Sequence, residues 1–338
     1  MGIGLLREST DVGAPIINGK DVGCIARALR AILCDGYGTG GDYKEPLGWN
    51  LHLKDSEVDA DVKKIIVRNI EGSGHYLRFN HSGDWTTTLA KQENTCRVQG
   101  YEAVSDIDNG TGLCPPNDKY ANNQFISIGY STSSYAGEYE WKVIGDSKSF
   151  WFIVRAGMLR FPLTTAKEHW TWVPYFFGDY QKYDANNMFN FIVWCQQNTT
   201  AQTANYLASF DAITDQCRYM MRDYSYAVGS VQFDSWSGGT ANSLYPYYEA
   251  TNHATLYEDG SEIPLVDAGW VGSAVASQRI LGKIPGIRKP IVRNQYNVIM
   301  PSFTRVDRGQ THHFLYTVTA TTNAGFLVLV SGRGYSDD

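Results

Sequence analysis

Between Asp21 and Asp35 the apolar residues Ile25, Leu29, Ile32 and Leu33 fall at i, i+4, i+7 and i+8. That spacing lines one stripe of a helix. Asp21 reads as the N-cap, Arg27 and Arg30 lie off the stripe, and Gly36 is the stop signal, with Gly38, Gly40 and Gly41 behind it. The pattern predicts an amphipathic helix of about three to four turns whose apolar side must cover a sheet.

Farther on, the period shortens to two. HYLRFNHS (75–82) alternates Tyr76, Arg78 and Asn80 against Leu77 and Phe79, and WTTTLAKQ (85–92) and TCRVQGYEAVSD (95–106) read as strands of similar length. IDNGTGLCPPND (107–118) crowds Asn-Gly, Gly and Pro-Pro together and reads as an exposed loop or a joint. YEWKVIGDSKSFWFIVRAG (139–157) is the clearest hairpin, turning at Gly145-Asp146-Ser147. The run from Met188 to Cys195 is apolar except for Asn190, as expected of a strand covered on both faces. Leu207, Phe210, Ile213 and Cys217 lie three or four apart and suggest a second short helix within 203–222. RILGKIPGIRKPIV (279–292) is punctuated by Gly and Pro, and HHFLYTVTA and GFLVLVSG are the last two strands. The expected fold is mainly β in the α+β class: antiparallel sheets with a short N-terminal amphipathic helix packed on one sheet. Two closely packed subdomains, 1–112 and 113–338, are expected.

Composition narrows the function classes. The chain has 338 residues, 43% hydrophobic and 13% aromatic, with 22 Tyr and a formal net charge of -6. No Lys/Arg cluster interleaves with aromatics along the sequence, so a nucleic-acid partner is not expected. No stretch approaches the ~18–20 apolar residues of a membrane span. MGIGLLREST lacks the apolar centre of a signal peptide, so synthesis in the cytoplasm is expected. Cys24, Cys34, Cys96, Cys114, Cys195 and Cys217 are dispersed with no CxxC pair, which favours buried reduced thiols over a zinc site.

Catalytic patterns are missing from the sequence. His75 and His81 sit six apart with no completing ligand, and His312 and His313 point to opposite faces of a strand. No GxSxG elbow occurs, Cys24 and Cys34 have no local His, and GYGTGG follows a helix where a phosphate cradle precedes one. No metal, cofactor or catalytic residue is therefore expected. The aromatic loops FDSWSGG and YPYYEAT offer Trp236, Tyr245, Tyr247 and Tyr248 as subunit contacts or as stacking surfaces for a sugar ring. With 35 acidic residues, no carboxylate pair stands out for glycoside hydrolysis.

The phrase STDVGAPIINGKDVGCIARALRAILCDGYG (9–38), with Trp49 after a brief loop, resembles the opening of a group of uncharacterised virion structural proteins of tailed bacteriophages. VQGYEAVSDIDNGTG (98–112), WKVIGDSKSFWFIV (141–154), YFFGDYQKYD (175–184) and LGKIPGI (281–287) extend the resemblance in order along most of the chain. Residues 200–260 have no counterpart, and 42–64 looks like an insertion. The resemblance implies a non-enzymatic virion subunit of the neck, tail or head surface. Its expected partners are copies of itself and neighbouring virion proteins. The rival reading is a glycan-binding, receptor-contact module of such a particle.

Overall fold

A computed structural model describes residues 3–82, 95–114, 124–128, 137–157, 170–182, 190–197, 216–220, 265–272, 279–290, 302–307, 310–318, 324–333 and 335. The described residues are mainly β, with antiparallel sheets and one short helix, α1 (Cys24–Arg30). The strands are β1 (Leu5–Glu8), β2 (Asn50–Lys54), β3 (Lys64–Arg68), β4 (Tyr76–Asn80), β5 (Thr95–Tyr101), β6 (Ala103–Val104), β7 (Gly110–Thr111), β8 (Gln124–Ser127), β9 (Trp141–Gly145) and β10 (Ser149–Gly157). They continue with β11 (Trp170–Asp179), β12 (Gln181–Lys182), β13 (Phe191–Gln197), β14 (Gln216–Met220), β15 (Leu265–Gly272), β16 (Arg279–Pro290), β17 (Phe303–Asp307), β18 (Gln310–Val318) and β19 (Ala324–Gly332).

An 11-stranded sheet runs β1-β9-β10-β11-β13-β8-β5-β4-β3-β2, with β14 also on β13. A 6-stranded sheet runs β12-β16-β19-β18-β17, with β15 on β16, and β6 and β7 form a small hairpin. The large sheet takes strands from both sides of residue 112.

Alternation along β9 and β10 builds two cores from one pair of strands. Val143, Phe150, Phe152 and Val154 join the first core, with α1, Ile65, Val67, Leu77 and Phe79. Ile144, Trp151 and Ile153 face the other way and pack with Phe176, Trp194, Leu315, Leu329 and Tyr335. The continuous apolar text of this hairpin therefore reflects burial on both faces. The run Phe191–Cys195 of β13 is buried throughout, as its sequence led one to expect.

Helix α1 covers the first core with Ile25 and Leu29, and the stripe continues through Ile32 and Leu33; all four are fully buried. Its ends differ from the expected ones. Asp21 is not the cap residue: Gly23 occupies that position at φ 98°, and no side chain of its own caps the helix. The His81 imidazole does so from the end of β4, Nδ1 accepting from Gly23 N–H at 3.0 Å and Ile25 N–H at 3.4 Å. The Asp21 carboxylate instead accepts from Arg27 Nη2 at 2.5 Å. After Arg30 the chain widens into a π-helical turn, Ala31–Asp35, and Gly36 N–H closes on Ala31 O at 2.7 Å.

The Gly-rich text after the helix packs against the N-terminal loop. A Cβ on Gly13 would lie 2.8 Å from Gly38 Cα, so the two backbones touch where only glycine fits. The Tyr37 hydroxyl donates to Asp11 Oδ2 at 2.6 Å, and the Tyr37 ring meets Trp141 edge-on at 6.4 Å. STD-GAP and GYG are thus two halves of one clasp over the end of the first core.

One further expectation is revised. Gln216–Met220, with Cys217, is a strand, because pairing with β13 outweighs the helix-like spacing of a short apolar run; residues 203–215 lie outside the described residues. The Gly/Pro-punctuated segment 279–290 forms one 12-residue strand, β16, with Gly286 at φ 74° beneath the Tyr335 ring. The strand expected at 85–92 lies outside the described residues.

Candidate functional site

The outer faces of β1, β9, β10 and β11 change character along their length. Leu6, Ile144, Trp151, Ile153 and Phe176 lie under the second sheet. Two residues farther along the same faces come Glu8, Lys142 and Arg155, at the rim of the covered zone. Where the second sheet stops, a groove of about 460 Å³ opens between these strands and β17.

Pairing sets its polar wall. β1 and β9 place Glu8 opposite Lys142, whose Nζ donates to Glu8 Oε2. One row on, Arg155 stands opposite Trp172, and its Nη1 donates to Glu140 Oε2 at 2.9 Å. These four side chains keep between 19% and 33% of their surface exposed. Lys142 Nζ also lies 5.9 Å from the Trp172 ring centroid, within cation–π range.

The opposite wall is aromatic. Phe303 begins β17 opposite Phe314 of β18, and the two rings stack at 4.4 Å and 7°. Phe303 stays 43% exposed. The groove therefore offers two carboxylates, two cations and aromatic surface, with no net charge from the four ionised groups. Each carboxylate already accepts from a cation, so this wall supplies hydrogen-bond donors and acceptors.

A second polar cluster ties loops together. Asp179, at the end of β11, accepts from Ser73 N–H and Ser73 Oγ–H, each at 2.6 Å, and from Asn69 Nδ2 at 3.0 Å. Burial pushes its carboxyl above the usual carboxylate range, against the pull of these hydrogen bonds. These hydrogen bonds form a latch joining the β3–β4 turn to β11.

His313 sits behind the groove, with Nε2 2.9 Å from Ser331 Oγ. Desolvation, with Lys142 acting in the same direction, pushes its pKa down to about 4. Among the described residues no three His, Cys, Asp or Glu side chains converge to hold a metal, and no helix is long and apolar enough to cross a membrane. The thiols of Cys24 and Cys34 are raised by burial, and the β13–β14 register sets Cys195 opposite Cys217.

The helix residues Ile25, Leu29, Ile32 and Leu33 are brought together as core, while Trp236, Tyr245, Tyr247 and Tyr248 lie outside the described residues. Sequence reading missed Glu8, Glu140, Lys142, Arg155, Trp172 and Phe303. It also missed a basic–aromatic pattern that only strand pairing creates. Arg68 lies over Tyr76 at 5.0 Å and Arg78 over Tyr101 at 5.7 Å, with Asp108 accepting from Lys64 and Arg78 on the same face. No family model matches the chain, and no curated protein matches it.

Proposed function

We propose that this chain is a non-enzymatic structural subunit of a tailed-bacteriophage virion, made in the bacterial cytoplasm and working through assembly with copies of itself and neighbouring virion proteins. The observation that carries the reading is the β17 edge. β17 ends the order of the second sheet among the described residues. It presents Phe303 at 43% and Val306 at 70% exposure. Open apolar edges template pairing with another chain, and soluble proteins blunt them with charge, proline or a cover. β17 also carries Arg305 and Asp307, so the apolar contacts it offers a neighbour are those of Phe303 and Val306. The resemblance of residues 9–38 to virion proteins supports the same reading.

The test is molar mass by light scattering for the native chain and for Val306→Lys, which places a charge on the edge. The expected result is a discrete oligomer for the native chain, a shift toward monomer in the variant, and unchanged thermal unfolding of the monomer unit. A native chain that stays monomeric at high concentration and also in the presence of particle extract refutes the proposal.

A further inference from the structure

We propose that the groove between β17 and the β1–β9–β10–β11 face is a binding site for a neutral pyranose glycan. Its chemistry selects that ligand class. Glu8 with Lys142 and Glu140 with Arg155 form two ion pairs along one wall. An anionic ligand would meet two carboxylates there, and a cationic one would meet an ammonium and a guanidinium. A hydroxylated neutral ring meets a favourable partner at every group: its hydroxyls donate to the carboxylates and accept from the cations. The four side chains stay 19–33% exposed, so a ligand in the groove reaches them.

The facing wall supplies the other half of sugar recognition. A pyranose has an apolar C–H face that packs on an aromatic ring, and Phe303 is 43% exposed at the groove wall while Phe314 stacked against it fixes its plane. A volume of about 460 Å³ falls within the range of small-ligand sites and suits one or two rings. Glu8, Lys142, Arg155, Trp172 and Phe303 are strand residues held by pairing, so much of the site is preorganised, which lowers the ordering cost of binding.

The experiment is an array of neutral gluco-, galacto- and manno-configured oligosaccharides beside sialylated and uronic-acid glycans. Hits are then titrated in solution and followed by tryptophan fluorescence, since the Trp172 ring lies on the groove face beside Lys142. The expected result is saturable binding of at least one neutral glycan, weakened about tenfold in Phe303→Ala and in Arg155→Gln. Should Phe303→Ala fail to fold, Arg155→Gln carries the test alone. Retention of acidic glycans only, no saturable binding, or neutral binding that Arg155→Gln leaves intact overturns the site. The groove shares Phe303 with the β17 edge of the assembly reading, so glycan affinity is measured in the Val306→Lys background as well as in the native chain, oligomer mass being read with Val306→Lys and glycan affinity with Arg155→Gln.

Discussion

His313 makes the acid stability of this fold calculable. Its ring is 1% exposed on β18, facing Lys142 of β9 and Glu8 of β1, with His312 beside it. Burial, Lys142 and His312 disfavour the imidazolium, Glu8 opposes them, and the pKa falls from 6.5 to about 4. The folded-state value is depressed, so between about pH 4 and 6.5 the unfolded chain binds a proton that the folded chain refuses. Stability therefore rises with pH through that window, is lost as pH falls, and is level above it. Carried through the linkage relation, the loss between pH 7.5 and 4.5 is about 2.5 kcal/mol, because each pKa unit corresponds to roughly 1.4 kcal/mol. The assay is urea unfolding of the native chain and of His313→Gln at a series of pH values across that range. Glutamine keeps a hydrogen-bonding group near Ser331 Oγ but does not titrate. The stability difference between the two proteins should shift by about 2.5 kcal/mol toward the variant at the acid end, whatever the carboxylates common to both do. A difference that stays constant within about 0.5 kcal/mol would show that His313 is not held neutral by its surroundings.

Other substitutions test the packing. Leu29→Ala should cost about 2–5 kcal/mol in urea unfolding, as expected for a fully buried leucine, and Leu29→Asp should leave no soluble folded protein. Gly286→Ala places a methyl 2.5 Å from the Tyr335 ring at φ 74°, so it should lower the thermal midpoint, and pairing it with Tyr335→Ala should make the two losses less than additive. Asp179→Ala removes the acceptor of Ser73 N–H and Oγ–H, while Asn69 Nδ2 keeps Lys148 O at 3.2 Å; it should cost about 1–3 kcal/mol, with faster hydrogen exchange at the Ser73 amide, and Asp179→Asn should cost less.

What the sequence discloses here depends on whether the deciding contact is local. The stripe Ile25, Leu29, Ile32, Leu33 is a property of the helix alone, and it is buried as read. Its start is not local, because the cap is His81, 58 residues from Gly23, and no inspection of residues 18–24 reveals it. Gln216–Met220 fails for the same reason: a short apolar run suits either period, and β13 decides. Pro285 and Gly286 look like breaks, yet β16 passes through both, since Gly286 lets the chain run beneath Tyr335 and the Pro285 carbonyl accepts from Trp151 Nε1 at 2.7 Å.

The groove follows the same rule, with one instructive exception. Glu8 and Lys142 are 134 residues apart, and only the β1–β9 register joins them. Within β9 and β10, however, the alternation carries a local mark. Residues 144, 142 and 140 share one face and read Ile, Lys, Glu; residues 151, 153 and 155 share the same face and read Trp, Ile, Arg. Each strand is apolar on its outer face near the hairpin turn and charged away from it. In a strand whose inner face is apolar throughout, such a switch has a simple physical meaning: a second layer covers the outer face up to the switch and no farther, since an uncovered row must be polar and a covered row cannot be charged without partners. Both paired strands switch, one row apart: Lys142 stands opposite the covered Ile153 and Arg155 lies beyond it, so together they mark an oblique rim of the covering layer. A rim that carries both signs of charge beside aromatic residues is where a groove with ligand-binding chemistry forms. Parity read strand by strand across a hairpin therefore carries information about sites that motif spacing along the chain does not.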